Sequence, residues 1–236
     1  MRQPNGFNLL YSFVRLAGSP FRYRAVGLEH VAGPGPAIFV ANHMGAAGPL
    51  ASVLSLPIRL YPWAIAEMTD YRRATRYLYE DFVRPTWHLN GAAGLAVSFL
   101  VSRLSVTLLR GIGSISVERH RGESFGAFRR SLELLSQGRN LLVFPEDAQQ
   151  PADPATRLYP WLCGFVGLCS MHERESGQRL PLYPVAVHPG TKTLAVGEAQ
   201  YHAGDSSHRL EVRRTCERLR QAVADLYVAL EGGTSA

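Results

Sequence analysis

The chain has 236 residues, of which 46% are hydrophobic, enough to bury one sizeable core as a single domain with at most a small helical appendage. Its formal charge is +6, and arginine supplies every basic residue except Lys192, which reflects either base bias in an Ala- and Gly-rich chain or a cationic surface for phosphate head groups and anionic bilayers. The arginines are scattered, and no aromatic platform or helix-turn-helix pattern accompanies them, which makes nucleic-acid binding a poor reading; no nucleic-acid partner is expected.

In chain order, Phe7, Leu10, Tyr11, Val14 and Leu16, with Arg15, make 6–17 an amphipathic helix. The apolar run within it is too short for a secretory signal, and no cleavage site follows. Strands are predicted at 21–28, 37–41 and 58–66. Tyr71, Ala74, Leu78 and Phe82 give 70–82 helical spacing. The longest apolar region, 89–109, is interrupted by Arg103; a spanning helix needs roughly 20 apolar residues, so this region reads as buried or interfacial, with a helix at 98–110. A strand at 115–118 precedes the basic cluster Arg119-His120-Arg121.

Phe125, Phe128, Leu132 and Leu135 form one stripe of a helix over 123–137, with Gly138 where its C-terminal cap belongs. The apolar strand 140–144 reads as buried on both faces. The segment 151–155 is a loop, and a helix is predicted over 159–175. Strands follow at 182–188 and 193–199. The last helix opens near Ser206-Ser207, repeats Val212, Cys216, Leu219, Val223, Leu226 and Leu230, and ends at Gly232-Gly233. Cys163, Cys169 and Cys216 are odd in number, lack C-x-x-C spacing and read as reduced core residues. With no internal repeat or linker, 1–236 reads as one α/β domain, a largely parallel sheet flanked by helices behind an N-terminal amphipathic helix.

Two strand ends carry the chemistry. Ala41-Asn42-His43-Met44-Gly45-Ala46-Ala47-Gly48 and Val143-Phe144-Pro145-Glu146-Asp147 each turn abruptly from apolar to polar, delivering a histidine and two carboxylates where α/β enzymes hold their reactive groups. His88, His120, His172 and His188 have no ligand spacing, there is no zinc signature, and these histidines read as structural.

Four blocks in order resemble the glycerophospholipid acyltransferase superfamily, which includes lysophosphatidate acyltransferases, over roughly 37–190. Asn42-His43 matches N-H-x-x-x-x-D, with Gly48 in place of the Asp. Gly113-Ser114-Ile115-Ser116-Val117-Glu118-Arg119 fits G-x-I-x-V-x-R. Phe144-Pro145-Glu146 matches F-P-E-G-x-R, with Asp147 for the Gly and Gln149 for the Arg. Leu180-Pro181-Leu182-Tyr183-Pro184-Val185 is similar to V-P-x-x-P-V, and Gly164 lies near the family's glycine-bearing helix. The chain is thus similar to a divergent member.

The resemblance implies acyl transfer from a thioester, acyl-coenzyme A or acyl-carrier protein, to a hydroxyl of a glycerolipid or other lysolipid. His43 would be the general base. Asn42 would place the strand end or donate to the oxyanion, Arg119 would bind phosphate, and Pro145 and Glu146 would shape the acceptor site or buttress the loop. No cofactor is implied beyond the acyl donor. The expected partners are a lipid acceptor and an anionic membrane surface, and the expected location is cytoplasmic, peripheral to the inner face of a membrane.

Gly48 cannot hold a histidine nitrogen as the family Asp does. Catalysis is lost and a lipid-binding cleft kept, or the histidine works unassisted, or another acid takes the place. Asp147 is the acid expected there, ahead of Glu67 or Asp70. The exchanges at Asp147 and Gln149 remove a close backbone approach and a cation, which points to an acceptor less dependent on phosphate than lysophosphatidate.

Overall fold

The computed structural model describes residues 5–31, 33, 35–118, 125–203 and 209–233. Its elements are α1 (Asn5–Ala17), β1 (Arg24–Val26), β2 (Ile38–Ala41), α2 (Ala47–Ser55), β3 (Leu60–Ile65), α3 (Ala66–Thr69), α4 (Tyr71–Leu78), α5 (Arg84–Trp87), α6 (Gly91–Ile112), β4 (Ile115–Val117), α7 (Phe125–Ser136), β5 (Asn140–Val143), α8 (Gly167–Ser176), β6 (Pro181–His188), β7 (Thr193–Val196), β8 (Gln200–Tyr201) and α9 (Arg209–Gly232). The chain gathers into two compact units. One joins Met1–Leu16 to Tyr61–Ala127, the other Ala17–Leu60 to Phe128–Ala236. Each is assembled from stretches distant in sequence, so no linker marks the division.

The second unit carries strands in the order β1-β7-β6-β2-β5, with β8 also on β6. β2 runs parallel to both β5 and β6, and β1 parallel to β7. β6 and β7 are antiparallel, because the few residues between His188 and Thr193 are too short for a crossover. Ile38, Phe39, Val40 and Ala41 of β2 and Leu141, Leu142 and Val143 of β5 are all buried, as strands covered on both faces require. The Phe39 and Tyr183 rings stack at 4.9 Å. Helices α2 and α9 pack on β6 and β7, and Val223, Ala224 and Tyr227 of α9 close a cluster with Leu158 and Ala186. Fully burying a side chain of Val or Leu size stabilises by about 1.5–3 kcal/mol. Gly138 (φ +71°) caps α7 as expected, with Arg139 N–H donating to the Leu134 carbonyl at 3.0 Å.

The cysteines correct the sequence reading. Cys163, in a 3-10 turn at Cys163–Val166, is disulfide-bonded to Cys216 of α9, with Cα atoms 5.5 Å apart. Partners 53 positions apart carry no spacing signal; only the packing of α9 brings them together. Cys169 stays a free thiol, and burial pushes its pKa up to about 12.

In the first unit, β3 and β4 pair in parallel, Trp63 opposite Ile115. Asp70 caps α4, its Oδ1 accepting from the Arg72 and Arg73 N–H groups at 2.8 and 3.0 Å. Past Leu78 the expected helix widens into a π-helical turn, Tyr79–Val83, before α5. α6 begins several residues before the expected 98.

The packing of α6 is inverted. Its buried stripe is Gly94, Ser98, Ser102 and Val106, at four-residue spacing, and the helix packs on α4. A Cβ at Gly94 would lie 2.8 Å from the Tyr79 ring, so the approach there is closed to any larger residue. The Ser102 and Thr75 hydroxyls share a hydrogen bond of 2.8 Å. The large apolar residues Leu95, Phe99, Leu100 and Leu104 face outward, Leu100 being 68% exposed. α6 is long and apolar enough to cross a membrane, with a mean hydropathy of 1.8, yet only 22% of that window is buried. Of the two sequence alternatives, buried or interfacial, full burial does not hold among the described residues: only the small-residue stripe is buried. The Arg103 guanidinium lies over the Tyr71 and Phe99 rings at 5.0 and 4.8 Å, and Arg110 over Tyr71 at 4.7 Å.

Candidate active site

β2 and β5 are neighbours in register, Val40 opposite Val143, so both end at the same edge of the sheet. There they deliver Asn42-His43 and Phe144-Pro145-Glu146 side by side. Glu146 Oε2 accepts a hydrogen bond of 2.9 Å from the backbone N–H of His43, and the Tyr159 amide also donates to this carboxylate. One carboxylate thereby ties the two strand-end loops together. The Phe144 ring meets the His43 ring edge-on, with centroids 5.2 Å apart.

His43 is open to solvent, but the protein around it removes enough water to lower its pKa below 6.5. A hydrogen bond to the backbone of Gly45 opposes that lowering. Because the bond favours the protonated ring, its acceptor is the Gly45 carbonyl. At neutral pH the imidazole is uncharged, and a ring nitrogen that carries no proton can act as a base.

The segment expected to open a helix at 159 instead straps the second loop. Asp147 N–H donates to the Pro160 carbonyl and Leu162 N–H to the Pro145 carbonyl, both at 2.8 Å, with Glu146 bridged antiparallel to Trp161. Helical structure begins only at Cys163. The backbone of 159–162 is committed to the Pro145–Asp147 loop and is unavailable to a helix.

Asn42 and Asp147 both have partners within the structure. Asn42 is fully buried; its Nδ2 donates to the Val187 carbonyl at 3.0 Å and its Oδ1 accepts from Val187 N–H at 2.7 Å. Its side chain extends the pairing of β2 with β6 by one backbone-like rung, which is how it places the strand end. Asp147 does not meet the His43 ring; its Oδ1 accepts from Gln149 N–H at 3.2 Å within its own loop. The other acids considered are engaged elsewhere. Glu67 pairs with Arg73 at 2.8 Å, and Asp70 caps α4.

Gly48 is buried, and a Cβ there would stand 2.3 Å from the His43 carbonyl oxygen and 2.4 Å from that of Asn42. Pro145 is buried in the strapped loop, and Glu146 Oε1 is buried without a hydrogen-bond partner among the described residues. Burial raises the Glu146 pKa, against the two amides that lower it. Arg119 lies outside the described residues. Among the described residues no group of His, Cys, Asp and Glu could hold a metal ion. The Gly45 carbonyl and the Tyr159 amide escaped the sequence reading, because backbone groups leave no residue-type signature; a glycine directly after His-Met was the one available hint of a turn.

No family model matches the chain, and no curated protein matches it in sequence. Among solved structures it is similar to the crystal structure of the 1-acyl-sn-glycerophosphate (LPA) acyltransferase PlsC from Thermotoga maritima. The TM-score is 0.48 at 16% sequence identity, covering 93% of this chain and 79% of that one. The chemistry rests on the residues described above.

Proposed function

We propose that the chain is an acyltransferase that moves a fatty acyl group from a thioester donor, acyl-coenzyme A or acyl-carrier protein, to a hydroxyl of a glycerolipid or other lysolipid. One observation carries this reading: the Asn-His and Phe-Pro-Glu blocks, about a hundred residues apart, meet at one sheet edge through the bond between Glu146 Oε2 and His43 N–H. That is the juxtaposition the four-block resemblance calls for.

His43, uncharged at neutral pH, takes the acceptor's hydroxyl proton as its oxygen attacks the thioester carbonyl carbon. The tetrahedral intermediate collapses with cleavage of the C–S bond, and the imidazolium returns the proton to the departing thiolate. Ester and free thiol are the products, with no covalent enzyme intermediate. Arg119 would bind an acceptor phosphate where one is present. Glu146 holds the His43 loop in place.

The outward face of α6, with Arg103 and Arg110 beside it, supports a protein peripheral to an anionic membrane surface, on the cytoplasmic side. A lipid-binding protein with impaired catalysis is the alternative, favoured by Gly48 alone. Wild type and His43→Ala are to be incubated with labelled acyl thioester and a panel of lysolipids that includes lysophosphatidate. Acylated product from wild type only is expected; equal product, or none, from both rejects the enzyme.

A further inference from the structure

The sheet edge that carries His43 also carries a cationic cleft with apolar walls. β6 runs parallel to β2 and ends at His188 on the same edge, so the turn from Pro189 to Lys192 lies there. β7 starts after Lys192, and β1 runs parallel to it from Arg24, so the chain also enters β1 at this edge. α2 leaves the edge at Ala47. These segments line a cleft of about 180 Å³, with Phe21, Ala47 and Leu50 as apolar walls and Arg22 and Lys192 as its cations. The walls are tied together. Tyr23 N–H donates to Ser55 Oγ of α2 at 2.9 Å, and Arg24 N–H donates to the Lys192 carbonyl at 2.9 Å. No acid is among the residues lining the cleft, and Lys192 makes no ion pair among the described residues. Lys192, the only lysine of the chain, holds a left-handed backbone (φ +48°) that a glycine would adopt at less cost.

We propose that this cleft seats the headgroup phosphate of an anionic phospholipid in a bilayer, held by Lys192 and Arg22, while Phe21 and Leu50 enter the interface beside it. The lysine ammonium supplies a point charge and the arginine guanidinium a two-pronged donor, both suited to phosphate oxygens. Phe21 is 68% exposed and Leu50 51%, so these side chains stand at the surface and do not enclose a chain. A bilayer is the surface that offers phosphate and hydrocarbon side by side. Coenzyme A thioesters also join phosphates to an acyl chain, but about 180 Å³ falls below the roughly 300–1,000 Å³ of clefts that bury a whole small ligand. The outward face of α6 belongs to the other unit, so the cleft gives the sheet-bearing unit a lipid contact of its own. On the reading of His43 as the general base, on which this one consequence rests, the contact turns the His43 edge toward the surface where a lysolipid hydroxyl lies.

Binding is measured by sedimenting the full-length protein with vesicles of phosphatidylcholine alone and of equal parts phosphatidylcholine and phosphatidylglycerol. A basic side chain beside an anionic surface strengthens partitioning about fivefold. Arg22→Gln and Lys192→Gln should therefore each weaken binding to the mixed vesicles about fivefold and leave binding to the neutral ones unchanged. Arg179→Gln makes the same charge change just ahead of β6, at the opposite sheet edge, and should bind as wild type does. An equal loss in Arg179→Gln, or no loss in either cleft variant, overturns the site. Because Lys192 is the only lysine, reductive 13C-methylation gives one lysine signal by NMR. It should shift with bicelles of the mixed composition and stay in place with coenzyme A or inorganic phosphate. A shift with either of these as large as with the bicelles overturns the bilayer as occupant. His43→Ala should sediment as wild type does, so a protein that transfers no acyl group still upholds the lipid site, and cleft variants with full vesicle binding remove the site without touching the reaction.

Discussion

Placing an acid at position 48 is the direct experiment on the loop after β2, and the structure forecasts harm rather than gain. In Gly48→Asp the new Cβ would sit 2.3 Å from the His43 oxygen, 2.4 Å from the Asn42 oxygen and 2.8 Å from the His43 carbonyl carbon. All three are backbone atoms at the end of a buried strand, so no side-chain rotation relieves them. Overpacking of this kind costs about 1–3 kcal/mol, and contact with backbone puts the change in the upper half, ~2–3 kcal/mol. For a chain of this length, each kcal/mol moves Tm by about 2–4 °C, giving a fall of about 4–12 °C. Gly48→Ala carries the same Cβ without the charge and should fall by a similar amount. The assay is thermal unfolding of both variants, followed by acyl transfer at a temperature where both remain folded. A Gly48→Asp protein with wild-type Tm and faster transfer would refute the reasoning, because the loop would then have room for an acid and a use for it.

Glu146 should leave a signature in the pH dependence of stability. Burial raises its pKa in the folded protein, so between its unfolded value near 4.5 and the raised value the native state holds the proton more tightly than the unfolded state. Stability from this group is therefore present below the unfolded pKa and falls as pH rises through that window. Urea unfolding from about pH 4 to 8 should show Glu146→Gln lacking this component of the slope; superimposable slopes would count against it. Leu100→Glu with Leu104→Glu alters only the outward face of α6. Stability should change by less than about 0.5 kcal/mol for each, while sedimentation with anionic vesicles is lost; undiminished vesicle binding would show that this face does not meet lipid.

The parts of the fold written in runs of side chains were legible, and the parts written in backbone were not. β2 and β5 are short all-apolar runs ended by polar residues, and both strands and their terminal loops lie where that pattern puts them. The stretch Tyr159-Pro160-Trp161-Leu162 has the apolar content of a helix start. Its amides and carbonyls are instead spent on the facing loop, a pairing that depends on residues distant in sequence. Hydropathy marked α6 as apolar but was silent on which face is buried. The small residues Gly94, Ser98 and Ser102 went inward because close approach to α4 needs them, and the bulky ones were left outside. The sequence leaves Asn42 two roles, placing the strand end or donating to the oxyanion. Its amide has the shape of a peptide group, which suits it equally to closing the ladder with Val187.

The same commitment of groups bears on the acceptor. A phosphate site in the second loop would need backbone N–H groups pointing outward and a nearby cation. Here the Asp147 N–H is taken by the Pro160 carbonyl, and the Gln149 N–H faces the Asp147 carboxylate. Gln149 stands where the resembled pattern has an arginine. The loop thus carries the Asp147 carboxylate, bound to the Gln149 N–H, and no cation of its own. On the proposed function, the described groups of this loop that an acceptor would meet include the apolar edge of Phe144 and the uncharged imidazole of His43. Those groups suit a hydroxyl on an uncharged glycerolipid better than one beside a phosphate dianion, which is why lysophosphatidate should not outrank the neutral lysolipids in the acceptor panel.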